Sequence, residues 1–388
     1  MRLLHLSRKE WTELLLWLDT SGLALYFLDR LKELDLLELL PPAVLTRLRK
    51  NLADNTERME GMIAESIAIQ LRFQEEGLSY AVLKGFSLWP VSVPKLELRS
   101  QLDLDFLVSE ESAVEARRIL EDVGYRLHAA SGKSWEFKAN EGRPSSLNGL
   151  YRSGLSRSAE LHIEADSHCR PSLLSRSQRL FFHGALMPVL SPVDLFLGQG
   201  LHLYKHVCSE FSRTAHLIEF RRHVIARYGD AAFWAELEEQ SASEPEAYLR
   251  LGAMILLITH VMGKLAPEAL TRWSVDRLPS GAGRWVEVYG LRTVLASFPG
   301  SKLYLLLQEE LEAAGLPAKR LLHQALLPRR LPPAIAHAAA GEGLFSRMKR
   351  YSRQLHFIVF RLRFHLLEGM RYLFESILWR QYRNELSQ

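Results

Sequence analysis

The stretch LDLDFLV, residues 102–108, is the most informative part of the sequence for the fold and for the candidate site. Apolar and acidic residues alternate in it, and a period of two predicts a β-strand. Asp103 and Asp105 then share one face of that strand. Strands disfavour aspartate, and two close carboxylates repel each other unless a cation lies between them. The pair therefore predicts a divalent-metal site, and the alternative is a half-exposed strand that carries two solvated acids.

Strand and helix patterns surround this stretch. The run SYAVLKG, residues 79–85, predicts a short buried strand that ends at Lys84 and Gly85. Ser109 is expected to cap a helix over residues 110–123, which Gly124 would end. Further strands are predicted for four segments: YRLHAA (125–130), SWEFKA (134–139), LNGLYR (147–152) and AELHIEA (159–165).

The fold class that these patterns predict is α+β, a small mixed-sheet core flanked by N-terminal and C-terminal helical regions. Apolar residues at helical spacing precede residue 77 and follow residue 171. We predict four regions: a helical region over 1–76, an α/β core over 77–170, a helical domain over 171–330, and a Pro/Ala/Gly hinge with a basic amphipathic helix over 331–388.

Composition limits the classes of protein to which the chain belongs. Its 388 residues are 47% hydrophobic, enough for a sizeable core, and its net charge of +4 permits an anionic partner without requiring one. Two cysteines, Cys169 and Cys208, exclude a disulfide framework or a cysteine-rich metal site. We expect a cytoplasmic protein, with membrane association as a further option, since no secretory signal or membrane-spanning run stands out.

Two flanking motifs strengthen the metal interpretation. Downstream, AELHIEA places Glu160 and His162 on one face of another strand, which offers a third carboxylate. Upstream, Lys84 and Gly85 end a strand where bare backbone could approach a phosphate. Mg²⁺ takes oxygen ligands, typically one or two carboxylates together with substrate phosphates.

With these motifs in this order, the sequence resembles the bacterial uncharacterised nucleotidyltransferases of the DNA polymerase beta-like superfamily. The resemblance rests on VLKG, LRSQLDLDFLV, AELH and VLSPVDLFLGQGLHLYKH, and it covers roughly residues 1–230. It implies transfer of a nucleoside monophosphate from an NTP to an acceptor hydroxyl, with release of pyrophosphate and with Mg²⁺ or Mn²⁺, two ions being expected.

The resemblance also implies roles for residues. Asp103, Asp105 and Glu160 would be the catalytic metal ligands. The predicted nucleotide-binding residues are Lys84, Gly85, Ser87, Arg99, His162, Lys205 and His206. The turn departs from the Gly-Ser or Gly-Gly of the wider superfamily because Phe86 follows Gly85, so Ser87 would replace the missing hydroxyl.

The acceptor stays open at this point: a small molecule, a glycan or lipid-linked intermediate, a protein or an RNA. One alternative is a catalytically inactive scaffold or nucleotide-binding module on the same fold. A second alternative is a toxin-like nucleotidyltransferase that acts on tRNA.

The C-terminal segment is basic and amphipathic. Residues 344–388 hold nine Arg or Lys against three Glu, and apolar residues recur at helical spacing. Such a helix packs on the protein, binds RNA or makes a peripheral contact with an anionic membrane through residues 344–386.

Overall fold

The computed structural model of the chain describes residues 2–139, 150–152, 154, 156–164, 172–210, 213–242, 245–297, 299–317, 322–327 and 343–386. The chain divides into two compact units. The first unit comprises Met1–Leu203, Arg213–Ser243 and Leu265–Leu270. The second unit comprises Tyr204–Ser212, Glu244–Lys264 and Thr271–Gln388.

Strands and helices both contribute, which confirms the predicted α+β class. The strands are β1 (Tyr80–Leu83), β2 (Asp103–Ser109), β3 (Tyr125–Ser131), β4 (Ser134–Ala139), β5 (Ser158–Glu164), β6 (Gln178–Phe182) and β7 (Ala185–Val189). The helices as far as residue 242 are α1 (Arg8–Thr20), α2 (Ala24–Glu33), α3 (Pro42–Glu75), α4 (Ala113–Asp122), α5 (Pro192–Val207), α6 (Ala215–Ala226) and α7 (Ala231–Ala242). The later helices are α8 (Pro245–Met262), α9 (Glu268–Ser274), α10 (Ser280–Trp285), α11 (Leu291–Val294), α12 (Tyr304–Ala313), α13 (Leu322–Leu326) and α14 (Leu344–Leu386).

The seven strands found among the described residues form one mixed sheet in the order β3-β4-β5-β2-β1-β7-β6. β2 lies at its centre, parallel to β5 and antiparallel to β1. β1 in turn is parallel to β7, and the remaining neighbours are antiparallel.

Alternation along β2 sorts its side chains between the two faces of the sheet. Leu104, Phe106 and Val108 enter the main core, together with apolar side chains of α3 and α4. Asp103 and Asp105 therefore lie on the opposite face, because successive side chains of a strand point to opposite sides. This placement keeps the acids off the face that the two helices cover.

The N-terminal helices form a second core in the first unit. Ser7 and Glu10 make a capping box at the start of α1, each side chain bonding to the other residue's backbone N–H. Apolar side chains of α1, α2 and the beginning of α3 pack together, and Leu98 of the segment before β2 joins them. That contact holds the segment that leads into the central strand.

Five of the six predicted strands are confirmed as β1 to β5, within a residue or two of their predicted bounds. The sixth, at 147–152, lies mostly outside the described residues, and Leu150 and Tyr151 form a turn. The helix predicted over 110–123 spans Ala113–Asp122, and its N-cap residue is Ser112, so the prediction that Ser109 caps it was wrong. Gly124 follows the end of the helix as predicted, with a φ of +95°.

Strands β6 and β7 were not predicted, because the chain after residue 171 carries a helical pattern. Each strand is only five residues long, and Pro188 lies within β7. They join at a tight turn through His183 and Gly184, both with positive φ. β7 pairs with β1, about a hundred residues earlier in the chain, so tertiary pairing and not local sequence defines these strands.

The second unit is helical in its described residues. Trp285 donates its indole N–H to the carbonyl of Leu303, 2.8 Å away, which fixes α10 beside the segment that opens α12. The ammonium of the buried Lys302 donates to the carbonyls of Ala325 and Leu326, each 2.6 Å away, at the end of α13. Among the described residues, no helix is long and apolar enough to cross a membrane.

Candidate active site

We call the face of the sheet that carries Asp103 and Asp105 the acidic face. It brings together side chains from three neighbouring strands. Asp105 of β2 lies directly beside Glu160 of β5 in the parallel register, and opposite Leu83 of β1. His162 follows two residues after Glu160, so its side chain lies on the same face. Residues 57 positions apart in sequence therefore share one surface of the sheet.

Lys84 places its ammonium among these side chains. It follows β1 with a φ of +48°, a left-handed conformation that turns the chain sharply at the strand end. Its Nζ lies 2.8 Å from Asp105 Oδ1, 3.5 Å from His162 Nε2 and 4.0 Å from Glu160 Oε2. Burial alone would lower the pKa of Lys84, but the charge of Asp105 and its hydrogen bond raise that pKa above its usual value.

His162 bridges the two carboxylates. Its Nε2 lies 3.2 Å from Asp105 Oδ1 and 3.4 Å from Glu160 Oε2. The hydrogen bond from His162 and a second from the Ser134 hydroxyl lower the pKa of Glu160 against the effect of burial. Burial opposes protonation of His162, but its bonds to Asp105 and Glu160 raise its pKa. Glu160 therefore stays ionised at neutral pH.

Asp103 lies at the solvent edge of this group, at the first position of β2. The surrounding protein and then the neighbouring Asp105 carboxylate raise the pKa of Asp103 to about 6, although Lys84, Arg99 and Arg213 act in the opposite direction. The side chain keeps an exposed surface, which screens part of this effect. The raised pKa means that Asp103 takes up a proton more readily than an ordinary aspartate, partly because Asp105 lies beside it.

This donor set fits a divalent cation. One ligand atom from each of Asp105, Glu160 and His162 lies within 4.8 Å of the others. Carboxylate oxygens suit Mg²⁺ and Mn²⁺, and a bound cation would reduce the repulsion between the Asp103 and Asp105 carboxylates. The Lys84 ammonium lies in the same place, so a cation bound by Asp105 and Glu160 would displace it.

The turn after Lys84 is packed closely. A Cβ at Gly85 would collide with the side-chain amide of Gln101, which explains why glycine occupies a position whose φ is +40°. Gln101 also donates to the carbonyl of Asp103, 2.9 Å away. The Ser87 hydroxyl is buried and donates to the carbonyl of Lys84 at 2.8 Å. Gly85 and Ser87 thus shape the turn that carries Lys84.

Arg99 is buried and bonded to Glu219 of α6. Its Nε lies 3.2 Å and 3.3 Å from the two carboxylate oxygens of Glu219. Burial would raise the pKa of Glu219, but Arg99 and then His216 lower it to about 2. Tyr26 donates its hydroxyl to the same carboxylate at 3.2 Å. In this structure the guanidinium holds α6 to the segment that precedes β2.

Two cavities differ in size and place. A cavity of about 20 Å³, the size of a single water molecule, lies between Lys84 and Arg99. The other, of about 830 Å³, lies between α2, α3 and residues 89–98, and no predicted site residue lines it.

Lys205 and His206 lie near the end of α5 and belong to the second unit. The structure brings together Lys84, Asp105, Glu160 and His162, with Asp103 at their edge. Sequence reasoning missed Ser134, Gln101 and the Arg99–Glu219 pair. Ser134 carried a usable signal, since it opens a predicted strand, whereas nothing in the sequence links Arg99 to a residue 120 positions later.

Comparison with known proteins identifies the family to which the chain belongs. The model of the uncharacterised nucleotidyltransferase family matches residues 7–263. Among curated proteins, no sequence matches the chain. A nucleotidyltransferase-like antigenic protein from Paracoccidioides brasiliensis is 14% identical with a TM-score of 0.31, over 50% of this chain and 92% of its own.

The antibiotic-resistance factor ANT(2'')-Ia is 11% identical with the same TM-score of 0.31, over 49% of this chain and 100% of its own. Similarities this low do not assign the chain to a family. The family match does, because it spans more than half of the chain and includes β1, β2 and β5 with all four clustered side chains. The chain belongs to the uncharacterised nucleotidyltransferase family, and it is a transferase enzyme.

Proposed function

We propose that the enzyme transfers a nucleoside monophosphate from an NTP to an acceptor hydroxyl and releases pyrophosphate, with Mg²⁺ or Mn²⁺ held by Asp103, Asp105 and Glu160. One observation carries this proposal: the Asp105 and Glu160 carboxylates meet side by side on parallel strands, on the face that α3 and α4 leave uncovered. Two buried or half-buried acids at adjacent positions repel each other. Lys84 and His162 offset part of this repulsion, and a divalent cation would offset it further.

Bound divalent cations, of which we propose two, would stabilise charge on the phosphate oxygens and favour loss of the acceptor proton. The ligands would be the three carboxylates, with the second ion at Glu160. Since the pKa of Glu160 is lowered, its carboxylate is a weak base and suits the role of ligand. Asp103, whose pKa is raised to about 6, is the more basic carboxylate at the solvent edge.

Lys84 is the residue that we propose to neutralise phosphate charge. Its ammonium is paired with Asp105, and it would remain beside the acidic face as a positive charge if a metal ion replaced it in that pair. The side chain of Lys84 suits this role because lysine carries a compact positive charge on a flexible stem, which can reach a phosphate. His162, bonded to both acids, would orient them and line the nucleotide site.

Arg99 is better supported as a positioning residue than as a phosphate ligand. Its guanidinium already bonds Glu219, and leaving that buried carboxylate unpaired would be costly. Gly85 and Ser87 would act by shaping the turn of Lys84. For Lys205 and His206, nucleotide contact stays a prediction from the sequence.

The acceptor class is open among small molecules, glycans, lipid-linked intermediates, proteins and RNA. The test is a screen of each labelled NTP with Mg²⁺ or Mn²⁺, with and without cell extract, which follows pyrophosphate and every labelled product. We expect one or more NTPs to leave label on an acceptor. Label on RNA digested by ribonuclease would identify the acceptor as RNA, and label extracted into organic solvent would identify a lipid-linked one.

A further inference from the structure

The last helix, α14, exposes a continuous apolar stripe. Nine of its side chains recur at intervals of three, four and four residues, and each is between 51% and 68% exposed. We call them the outer face: Met348, Tyr351, Leu355, Val359, Leu362, Leu366, Met370, Leu373 and Ile377. A spacing of eleven residues per three turns stays close to the helical period, so the stripe runs nearly straight along the helix.

This stripe is not the face by which α14 packs in the second unit. The buried side chains of α14 are Phe364, His365, Tyr372, Ser376 and Trp379, which alternate with the outer face along the helix. Trp379 donates its indole N–H to Glu310 of α12 at 2.8 Å, and Tyr372 donates to Glu309. A helix at the surface of a protein needs only one apolar face for its core, whereas α14 has two.

Charge is distributed unevenly along the helix. Its first twenty residues, 344–363, contain six basic residues and no acid. The six are Arg347, Lys349, Arg350, Arg353, Arg361 and Arg363. None of the described side chains in this part is buried, and the first acid is Glu368. Arg361 is paired with Glu210, and the remaining five basic residues still give this half of α14 strong positive charge beside its exposed apolar stripe.

We propose that the outer face seats on the surface of an anionic lipid bilayer, with the axis of α14 in the plane of the membrane. Apolar side chains would enter the boundary between head groups and acyl chains. The basic residues that flank the outer face, Arg347, Lys349 and Arg363, would meet anionic lipid phosphates. The positive charge of residues 344–363 complements an anionic lipid surface. This observation favours a membrane over other partners of the outer face.

Charge and width both disfavour a second copy of the chain. Pairing two such helices would bring together two segments that each carry six positive charges and no acid. The contact surface between two paired helices is also narrow, whereas further exposed apolar side chains widen the outer face of α14 on one flank. These are Phe345, Phe360, Leu367, Phe374 and Leu378.

The test is flotation of the full chain with lipid vesicles. We expect the protein to float with vesicles that contain roughly a third phosphatidylglycerol and to stay behind with pure phosphatidylcholine, because each basic residue near an anionic surface adds to binding. Replacing Leu355, Leu362 and Leu366 together by Gln should abolish flotation. Replacing Arg347, Lys349 and Arg363, which flank the outer face, by Gln should weaken it by roughly a hundredfold.

The matched control replaces three exposed leucines of the first unit, Leu16, Leu71 and Leu186, by Gln. It should float as the wild type does. Circular dichroism would show that each variant keeps its helices. Failure of the wild type to float would overturn the proposal, and so would flotation that is equal on neutral vesicles or unchanged in the outer-face variant. Self-association that the outer-face variant abolishes, without flotation, would assign the face to a second copy.

Discussion

The ammonium of Lys84 lies 2.8 Å from Asp105 Oδ1 and is also within 4.0 Å of Glu160 Oε2. It thus lies among the side chains that we propose as metal ligands. It balances part of their charge, so a divalent cation must compete with a positive charge that the chain itself supplies. This competition makes Lys84 the most informative position for testing the metal proposal.

Replacing Lys84 by Met should strengthen binding of Mn²⁺ by at least about tenfold. A like charge roughly 4 Å away opposes a bound cation by on the order of 4 kcal/mol at an effective dielectric constant of 20, which exceeds the 1.4 kcal/mol of a tenfold change. Without Mn²⁺ the variant should unfold at a lower temperature, since the buried Asp105 loses its partner. Titration calorimetry and thermal unfolding measure the two effects.

Lys95 provides the control for this substitution. It forms an ion pair with Asp29 at 2.8 Å, but its side chain is 45% exposed and it belongs to no acidic cluster of the sheet. Lys95→Met should leave Mn²⁺ affinity unchanged. Equal affinities of wild type and Lys84→Met would show that the cation binds elsewhere.

The buried pair Arg99–Glu219 should be important for stability. Glu219→Gln leaves the buried guanidinium without its counter-charge, and we expect a loss of about 3–5 kcal/mol in the free energy of unfolding. The exposed pair Arg30–Glu33 is the comparison, and Glu33→Gln should cost no more than about 1 kcal/mol. Urea unfolding at neutral pH measures both. Similar losses for the two variants would contradict the role given to Arg99.

The same pair predicts a pH dependence. The folded protein lowers the pKa of Glu219 from 4.5 to about 2, so its contribution to stability is fully present above pH 4.5 and is lost as pH falls through about 2. A shift of this size corresponds to about 3 kcal/mol. Unfolding free energies over this range should decline more steeply for the wild type than for Glu219→Gln. Parallel curves would mean that other carboxylates cause the acid loss.

Binding of Mn²⁺ should weaken as pH falls below about 6. Asp103 takes up a proton in that range because its pKa is raised, and a proton on a ligand competes with a metal. We expect up to about a tenfold loss of affinity per pH unit in the wild type. Asp103→Asn should bind more weakly at pH 7 and show a shallower dependence, because the proton of His162, whose pKa is also raised, still competes with the metal. Asp122→Asn on the exposed side of α4 should retain the wild-type profile. An unchanged pH profile in Asp103→Asn would remove Asp103 from the ligand set.

Sequence reasoning located the chemistry where local pattern is strong. Alternation over LDLDFLV identified β2, and AELHIEA identified β5 with its Glu160 and His162. Family resemblance supplied the reaction. Neither could show that Lys84 turns back onto Asp105, because that depends on a positive φ at the end of β1 and on the antiparallel pairing of β1 with β2.

Contacts between distant parts of the chain were out of reach for the same reason. Arg99 reads as a free phosphate ligand in sequence, yet Glu219 of α6 binds it. Strands β6 and β7 lack a strand pattern and exist through pairing with β1. For α14, the sequence showed an amphipathic basic helix, but only the packing of Tyr372 and Trp379 separates its docked face from its exposed one.

The role of Asp105 in nucleotidyl transfer can be tested most directly with an α-labelled NTP, Mg²⁺ and cell extract. The assay compares label transfer by the wild type, by Asp105→Asn and by the control Asp122→Asn. We expect the wild type and the control to transfer the nucleoside monophosphate and release pyrophosphate, and Asp105→Asn to lose at least about a hundredfold in rate while it remains folded. Transfer by Asp105→Asn at the wild-type rate would contradict the account.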